Sequence, residues 1–585
     1  MGNRCVYNNE MNIRIVIALL KAHGIRRVVV SPGGTNIGFV WSVQHDPFFE
    51  TFSAVDERHA SYLACGIAAE TKEPVVLSCT GATASRNYMS ALTEAYYRKL
   101  PILVLTSSQP ISHLGNLWPQ VTDRRNPPAD CVKLSEQLPL PKSDRENHDC
   151  ELKVNRVILE LTRHGGGPAH LNIETDYCMD YEFTELPSVT RITRTSMSSE
   201  SWPVLPKDKK IAVWIGAHLS FSDQETAALE NFVRACNAVV LVDQTSGYCG
   251  RGAVGSALLT VQDLSANPRY RDLIPDLVIH VGEISGDYYT MSALMGVESW
   301  RVSEDGEVRD LLGRLTHVFE MTERQFFEHY GIGSSEGSYA RSWQVADEEL
   351  RKEIPEIPFS NVWIAQELSG RLPKGARLHL GILNSLRSWN YFLPNNGLGY
   401  CNTGGFGIDG CVSSMIGAAL ASPDKLFFGV FGDLAFFYDL NAIGNRQCGK
   451  NLRILIVNNG VGGEFSLHTN IGYPLGEERQ KLIGAGGHFG KQSHDVVRHL
   501  AEDLGFKYLS ASNQDEFKKI EGDFLTDAMD QSVILECFTG IDDDVEAQYR
   551  FDHIWKRMPQ RSVRSRVSAI LPDSLKTAIK HLVKS

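Results

Sequence analysis

The 585-residue chain contains no run of about 18 uncharged apolar residues, so no helical membrane span is expected. It also lacks any dense block of Lys and Arg. With 58 basic against 70 acidic side chains the formal net charge is −12, which argues against nucleic acid or an anionic membrane as the main partner. None of the 12 cysteines forms a CxxC pair, and several sit in apolar runs, where reduced Cys behaves as a small hydrophobe. A disulfide framework or structural zinc site is therefore not expected, and a reducing compartment is. The start, "MGNRCVYNNE", has no apolar signal core and carries Val6 where a myristoylation motif wants Ser or Thr, so a cytoplasmic location is expected. What remains is an ordinary globular composition, 43% hydrophobic and 22% charged, long enough for two to four domains.

From Met11 the chain reads helix, strand, glycine turn: "MNIRIVIALLKAHGI", "RRVVVS", "PGGTN". Ile13, Ile15, Val16, Leu19 and Leu20 are spaced for one helix face, and Gly24 suits the C-terminal cap. Further units follow in "EPVVLSCTGATASRNYMSALTEAYYRK" and "LPILVLTSSQP". Apolar strands alternating with helices imply parallel sheets covered on both faces. The stretch "TELPSVTRITRTSMSSESWPVLPKD" is rich in Ser, Thr and Pro and reads as a linker. A second α/β segment opens at "KIAVWIGAHLS", and a third carries "RLHLGILNS", "KLFFGVFGD" and "LRILIVNNG". The expected fold class is α/β, three doubly wound parallel-sheet domains over residues 1–185, 205–345 and 355–585, the first and third alike in architecture.

The third segment holds the richest constellation. Gly432-Asp433 stands at the C-terminal end of one strand and Asn458-Asn459-Gly460 at the end of the next, with a helix between them. In an open parallel sheet, strand C-termini form the ligand crevice. A carboxylate, an amide oxygen and a backbone carbonyl, completed by phosphate oxygens or water, suit Mg²⁺. The plainer alternative makes Asp433 a helix cap and Asn458-Asn459-Gly460 a simple turn.

Gly-Asp followed some two dozen residues later by Asn-Asn resembles the thiamine diphosphate (ThDP) binding motif. The form "GDLAFFYDLNA…VNNGVGGEFSL" is closer to the menaquinone-pathway synthases (MenD) than to acetolactate synthases, which carry Gly-Asp-Gly where this chain has Leu434. "VVVSPGGTNIGF", "VDERHASYLACGIAAET" and "NTGGFGIDGCVSSMIGAALA" are similar to further blocks of that family. The resemblance implies three domains: pyrimidine-binding (PYR), central and diphosphate-binding (PP). It implies Asp433, Asn459 and the Val461 carbonyl as Mg²⁺ ligands, and Glu57 as the carboxyl that activates the cofactor by exchanging a proton with the pyrimidine N1′. Ser31, Pro32, Gly33, Thr80, Gly405, Phe406, Gly432 and Leu434 are the further cofactor-binding candidates. An apolar pocket is expected around Glu57; the alternative is a surface carboxylate paired with Arg58 or His59. The resemblance also implies a homodimer or homotetramer with active sites between subunits.

"GGFGIDG" is a literal G-x-G-x-x-G and competes as a dinucleotide fingerprint, but it does not open the first βαβ unit of its segment. Its glycines instead suit close approach of backbone to ThDP, with the helix from Cys411 presenting its N-terminus to the diphosphate. His113, His468, His488 and His494 are candidate acid/base groups, none singled out, and nothing marks Cys79 as a nucleophile.

Several departures bear on substrate. Thr35, Gln109 and Thr403 stand where the synthase patterns "SPGSR", "LTADRP" and "NRGA" have Arg, and "VGEISGDYY" is acidic where those enzymes are basic. Losing a charge-paired Arg would cost an anionic substrate several kcal/mol. Glu464 replaces an Ile and would repel an anionic acceptor, or else points to solvent. Gln120, Phe465, Gly34, Thr35 and Thr403 complete the substrate candidates. The expectation is a ThDP- and Mg²⁺-dependent decarboxylase or carboligase acting on a small 2-oxo acid, by default pyruvate, and a carbonyl acceptor. The alternatives are the synthase reaction itself (2-oxoglutarate plus isochorismate), a nicotinamide- or flavin-dependent oxidoreductase, and a non-catalytic scaffold.

Overall fold

The computed structural model describes residues 5–206, 208–265, 267–335, 337–393 and 399–557; the ends of the expected first and third domains, residues 1–4 and 558–585, lie outside the described residues. Contacts divide the chain into two compact units, Met1–Val204 with Met295–Thr322, and Leu205–Leu294 with Glu323–Ser585.

The first segment supplies β1 (Arg27–Val30), β2 (Glu50–Ser53), β3 (Val75–Cys79), β4 (Ile102–Ser108), β5 (Ser135–Leu138) and β6 (Ala169–Glu174). The middle region supplies β7 (Thr193–Ser196), β8 (Ile211–Ile215), β9 (Val239–Val242), β10 (Ala253–Gly255), β11 (Leu277–Val281), β12 (Glu298–Ser303) and β13 (Leu315–Glu320). The last supplies β14 (Arg377–Leu380), β15 (Gly399–Cys401), β16 (Phe427–Gly432), β17 (Leu452–Asn458), β18 (Lys507–Ala511) and β19 (Val533–Phe538).

The first sheet runs β2-β1-β3-β4-β6-β5 and the last β15-β14-β16-β17-β19-β18, all parallel. Counted within each sheet the two orders are the same, 2-1-3-4-6-5. The middle strands are also parallel, in the order β12-β13-β7 within the first unit and β10-β9-β8-β11 within the second. The expected three-layered α/β class with three parallel sheets is what the chain adopts.

The reason lies in the strands' two-sided burial. Val28, Val76, Leu103 and Leu105 pack on one face against Ile13, Val16, Leu20 and the helix Asp144–Glu160. The alternate residues Val29, Val75, Leu77 and Val104 pack on the other face, against Ala60, Ala64, Ala91 and Leu92. In the last sheet Phe427, Phe431, Ile454 and Ile456 bury against Val412, Met415 and Phe436.

One expectation fails. The Ser/Thr/Pro-rich stretch is not wholly a linker, because Thr193–Ser196 inside it is β7, paired with β13 from His317↔Thr193 to Glu320↔Ser196. Arg194 anchors it, donating to the carbonyls of Gly306 (3.0 Å) and Leu159 (3.1 Å). Two threonines favour extended backbone, and the flanking serines and prolines hide that signal.

Candidate active site

In the second unit β16 and β17 lie side by side, with Gly432 opposite Val457, so the residues that follow each strand emerge together at the sheet's C-terminal edge. Asp433 starts the short helix Asp433–Tyr438 and is only 3% exposed. Burial pushes its carboxyl up to about 7; the Leu434 N–H offsets this in part, while Glu536 and Asp544 add to it. No Lys, Arg or His pairs with it among the described residues. Asp433 is thus a buried acid without a cation of its own among the described residues, at the C-terminal edge of the sheet.

Asn459 is oriented from both ends. Its Nδ2 donates to Asp544 Oδ2 at 3.0 Å, and its Oδ1 accepts the Val461 N–H at 3.1 Å, leaving a second lone pair on the amide oxygen. Asp544 is held in turn by the Thr539 hydroxyl (2.9 Å) and the Asn361 N–H (2.8 Å). Gly460, at φ +72°, makes the turn that carries Val461 back toward the strand ends, where its side chain is buried.

The glycines at this edge leave open space above the backbone. A Cβ added at Gly404, Gly405 or Gly432 would meet nothing within 4 Å, so the protein itself does not demand glycine there. Phe406 holds φ +54°, and the helix Cys411–Ala421 begins just beyond. The glycines follow β15, a three-residue edge strand not evident in the sequence, and β14 precedes it. Asp433, Asn459 and the Val461 carbonyl, which follow the neighbouring strands β16 and β17, offer hard oxygen donors of the type Mg²⁺ accepts.

Beside this set stands a pair that sequence reading missed. Arg387, on the helix Asn384–Asn390, donates from Nη1 to Glu464 Oε2 (2.7 Å) and from Nη2 to Glu464 Oε1 (3.1 Å). Glu464 therefore does not point to solvent, and its charge is neutralised within the protein. Burial opposes the Arg387 charge, but Glu464, together with Tyr289 and Tyr391, raises the guanidinium pKa. The pair adjoins Asn459: a Cβ at Gly463 would lie 3.0 Å from both Asn384 Nδ2 and Asn459 Nδ2, and Arg387 also donates to Asn384 Oδ1 at 2.6 Å. Phe465 is half-buried next to Glu464, and Thr403 is buried with its N–H on the Cys401 carbonyl at 2.8 Å.

The first unit carries the other candidates in the segments that follow β1, β2, β3 and β4. Gly33 packs so closely on Thr80 that a Cβ there would lie 2.2 Å from the Thr80 Cβ. The Thr35 hydroxyl lies 2.7 Å from Thr80 Oγ1 and donates to the Ser107 carbonyl at 2.8 Å, so it is consumed internally. Ser31 is buried, while Pro32 and Gly34 are exposed. Glu57 begins the helix Glu57–Thr71 and accepts from Asn87 Nδ2 at 3.4 Å. It is half-buried rather than enclosed, and it forms no ion pair with Arg58 or His59 among the described residues. Gln120 stays exposed at φ +63°. His113 stacks on Trp118, with centroids 4.2 Å apart, and bonds Gln109.

Both crevices store backbone strain at matching places. Ala82 (φ 56°, ψ −126°) precedes the helix Thr83–Asn87, and Leu383 (φ 69°, ψ −118°) precedes the helix Asn384–Asn390. Non-glycine residues in such a region cost about 1–3 kcal/mol each and cluster at functional sites.

Comparison with known proteins identifies the family. Residues 13–126 match the family described as thiamine pyrophosphate enzyme, N-terminal TPP binding domain. The chain is 30% identical over 579 residues (94% of this chain, 99% of the relative) to a 2-succinyl-5-enolpyruvyl-6-hydroxy-3-cyclohexene-1-carboxylate synthase of Bacteroides fragilis. It is 32% identical over 574 residues (94% and 100%) to the protein of that name from Bacteroides thetaiotaomicron. A Flavobacterium johnsoniae protein of the same name is 26% identical over 546 residues (90% and 95%).

Proposed function

Because this chain belongs to the thiamine-diphosphate enzymes of the 2-succinyl-5-enolpyruvyl-6-hydroxy-3-cyclohexene-1-carboxylate synthase family, we propose that it is a carboligase. It decarboxylates a 2-oxo acid and joins the remaining acyl unit to an acceptor. The observation that carries the reading is Asp433, a buried carboxyl without a cationic partner, beside an Asn459 amide held from both ends. In this reading Asp433, Asn459 and the Val461 carbonyl hold Mg²⁺, and Gly405, Phe406, Gly432 and Leu434 line the diphosphate. Bound ThDP would supply a carbon centre able to carry the negative charge left by loss of CO₂. Ser31, Pro32, Gly33 and Thr80 face the pyrimidine side. There Glu57 holds and returns the proton that the aminopyrimidine needs, with Asn87 steadying its carboxylate.

Residues 1–185, 205–345 and 355–585 take the PYR, central and PP roles, and a homodimer or homotetramer brings Glu57 of one chain to Asp433 of another. A cytoplasmic location accords with the reduced cysteines and with the described residues, among which no helix is long and apolar enough to cross a membrane.

Similarity over nearly the whole length of the relatives favours their own reaction, with 2-oxoglutarate as donor and isochorismate as acceptor. A second reading, a small donor such as pyruvate, is favoured by the neutral Thr35, Gln109 and Thr403 and by Glu464, which keeps Arg387 engaged. Purified protein with ThDP and Mg²⁺, offered 2-oxoglutarate or pyruvate with isochorismate or simple aldehydes, decides by product mass. The adduct of 2-oxoglutarate with isochorismate supports the first reading and a pyruvate-derived adduct the second; no new carbon–carbon bond with any pair overturns the carboligase.

A further inference from the structure

A cavity in the first unit is lined by a buried charge that forms no ion pair among the described residues. It measures about 270 Å³ and lies between the neighbouring strands β4 and β6 and the helices Thr83–Asn87 and Met89–Arg98, from which residues line it. Met89, Leu92, Val104 and Val132 form apolar walls, and Arg124 lies among them. Arg124 is 8% exposed, and its Nε and Nη2 have no hydrogen-bond partner. Only Nη1 is engaged, at 3.5 Å from the Ser107 carbonyl. Room for it is made by Gly81, where a Cβ would lie 2.6 Å from Nη1.

Among the described residues no anionic side chain forms an ion pair with Arg124. Asp123 lines the same cavity but turns to its neighbour Arg125, with contacts of 3.0 and 2.8 Å. Arg86, also lining it, adds a second positive charge. His170 is committed elsewhere: its two ring nitrogens lie 2.8 Å from the hydroxyls of Thr106 and Ser135. Burial holds its imidazole neutral, down at about 3. An unpaired, buried guanidinium is expensive to keep, and apolar packing in its place would be cheaper. A planar guanidinium with its Nε–Nη2 edge unpartnered, beside an apolar chamber, is complementary to a carboxylate on an apolar body.

We propose that this cavity is a binding site for a small organic carboxylate with an apolar body, gripped by Arg124 and enclosed by Met89, Leu92, Val104 and Val132. Nothing in the reading of the ThDP site requires it. Ser85 and Arg86 of its wall share a helix with Asn87, the residue that holds Glu57, so occupancy would be felt next to the catalytic carboxyl.

Calorimetric titration of the full-length protein, with ThDP and Mg²⁺ present, tests the proposal using benzoate as probe and benzamide and inorganic phosphate as controls. Benzoate is expected to saturate one site per chain, with benzamide and phosphate at least tenfold weaker. Arg124→Gln should weaken benzoate at least tenfold, and Met89→Trp, which fills the chamber but keeps the charge, should do the same. Without benzoate, Arg124→Met should melt at or above the temperature of the parent, because it removes a buried unpaired charge. Absence of saturable benzoate binding, binding unchanged in Arg124→Gln, phosphate binding tighter than benzoate, or a large fall in melting temperature for Arg124→Met would each overturn the site.

Discussion

Arg387 and Glu464, 77 residues apart in the chain, meet in a two-pronged ion pair at 2.7 and 3.1 Å, one residue beyond Gly463, which abuts the Asn459 amide. The pair changes the meaning of Glu464. Alone it would repel an anionic substrate; paired, it cancels a positive charge that could otherwise receive one.

Removing one partner should show how much depends on the other. Among the described residues, Glu464→Ala leaves the mostly buried Arg387 with only the charge of Asp552 to answer it and should cost up to about 3 kcal/mol in urea unfolding, whereas Arg387→Leu/Glu464→Leu together should cost less. Glu464→Gln keeps the shape and frees the guanidinium. The kcat/KM ratio of 2-oxoglutarate to pyruvate should then rise about tenfold or more, a gain of about 1.4 kcal/mol for the dicarboxylate. An unchanged ratio would place the pair outside the donor site.

Chelation of Mg²⁺ should lower the melting temperature of protein saturated with ThDP. Ligand at a hundred times its Kd contributes about 2.7 kcal/mol to the folded state, and that increment should disappear with EDTA. Asp433→Asn should melt at the same temperature with and without ThDP and Mg²⁺.

Asp544 touches neither proposed cofactor nor proposed metal, yet it fixes the Asn459 amide and is itself held by Thr539 and Asn361. Asp544→Ala should weaken Mg²⁺-dependent ThDP binding by about 10–100-fold, read by calorimetry rather than turnover. Asp544→Asn, which keeps an acceptor oxygen, should recover part of the loss.

Asp287 provides a pH signature in the middle region. Burial pushes its carboxyl up to about 6 from 3.8; the Thr290 hydroxyl opposes this, and Asp243 adds to it. The folded state therefore keeps a proton that the unfolded chain loses first. The stabilisation is complete below about pH 4 and declines as pH rises to about 6, by up to about 3 kcal/mol. Asp287→Asn should lack that slope in urea unfolding followed across pH 4 to 7.

Much of this architecture is legible in the sequence because its signals are local. "RRVVVS" and "LRILIVNNG" each pair a strand with the turn that ends it, so Ser31 and Asn459 fall at strand ends by inspection, and Gly432-Asp433 does the same. What was not legible depends on distant partners. Nothing near Arg387 announces Glu464, and Asp544 lies 85 residues beyond the Asn459 it orients. β7 is recognisable only through its register with β13. Arg124 gives no signal at all until the fold closes the chamber and leaves its Nε and Nη2 without partners. Glu57 is the reverse case: its motif is plain in "DERHA", but its half-buried setting and its contact with Asn87, 30 residues on, are not encoded locally.

The central claim is that ThDP chemistry on a 2-oxo acid runs through Glu57. The most direct test measures CO₂ release from the best 2-oxo acid, with ThDP and Mg²⁺ supplied, in the parent and in Glu57→Gln, alongside ThDP affinity by calorimetry. The account predicts release that requires ThDP, a fall of about 10²–10⁴-fold in the variant, and ThDP affinity kept within a few fold. Release that persists without ThDP, or that is undiminished in Glu57→Gln, would contradict it.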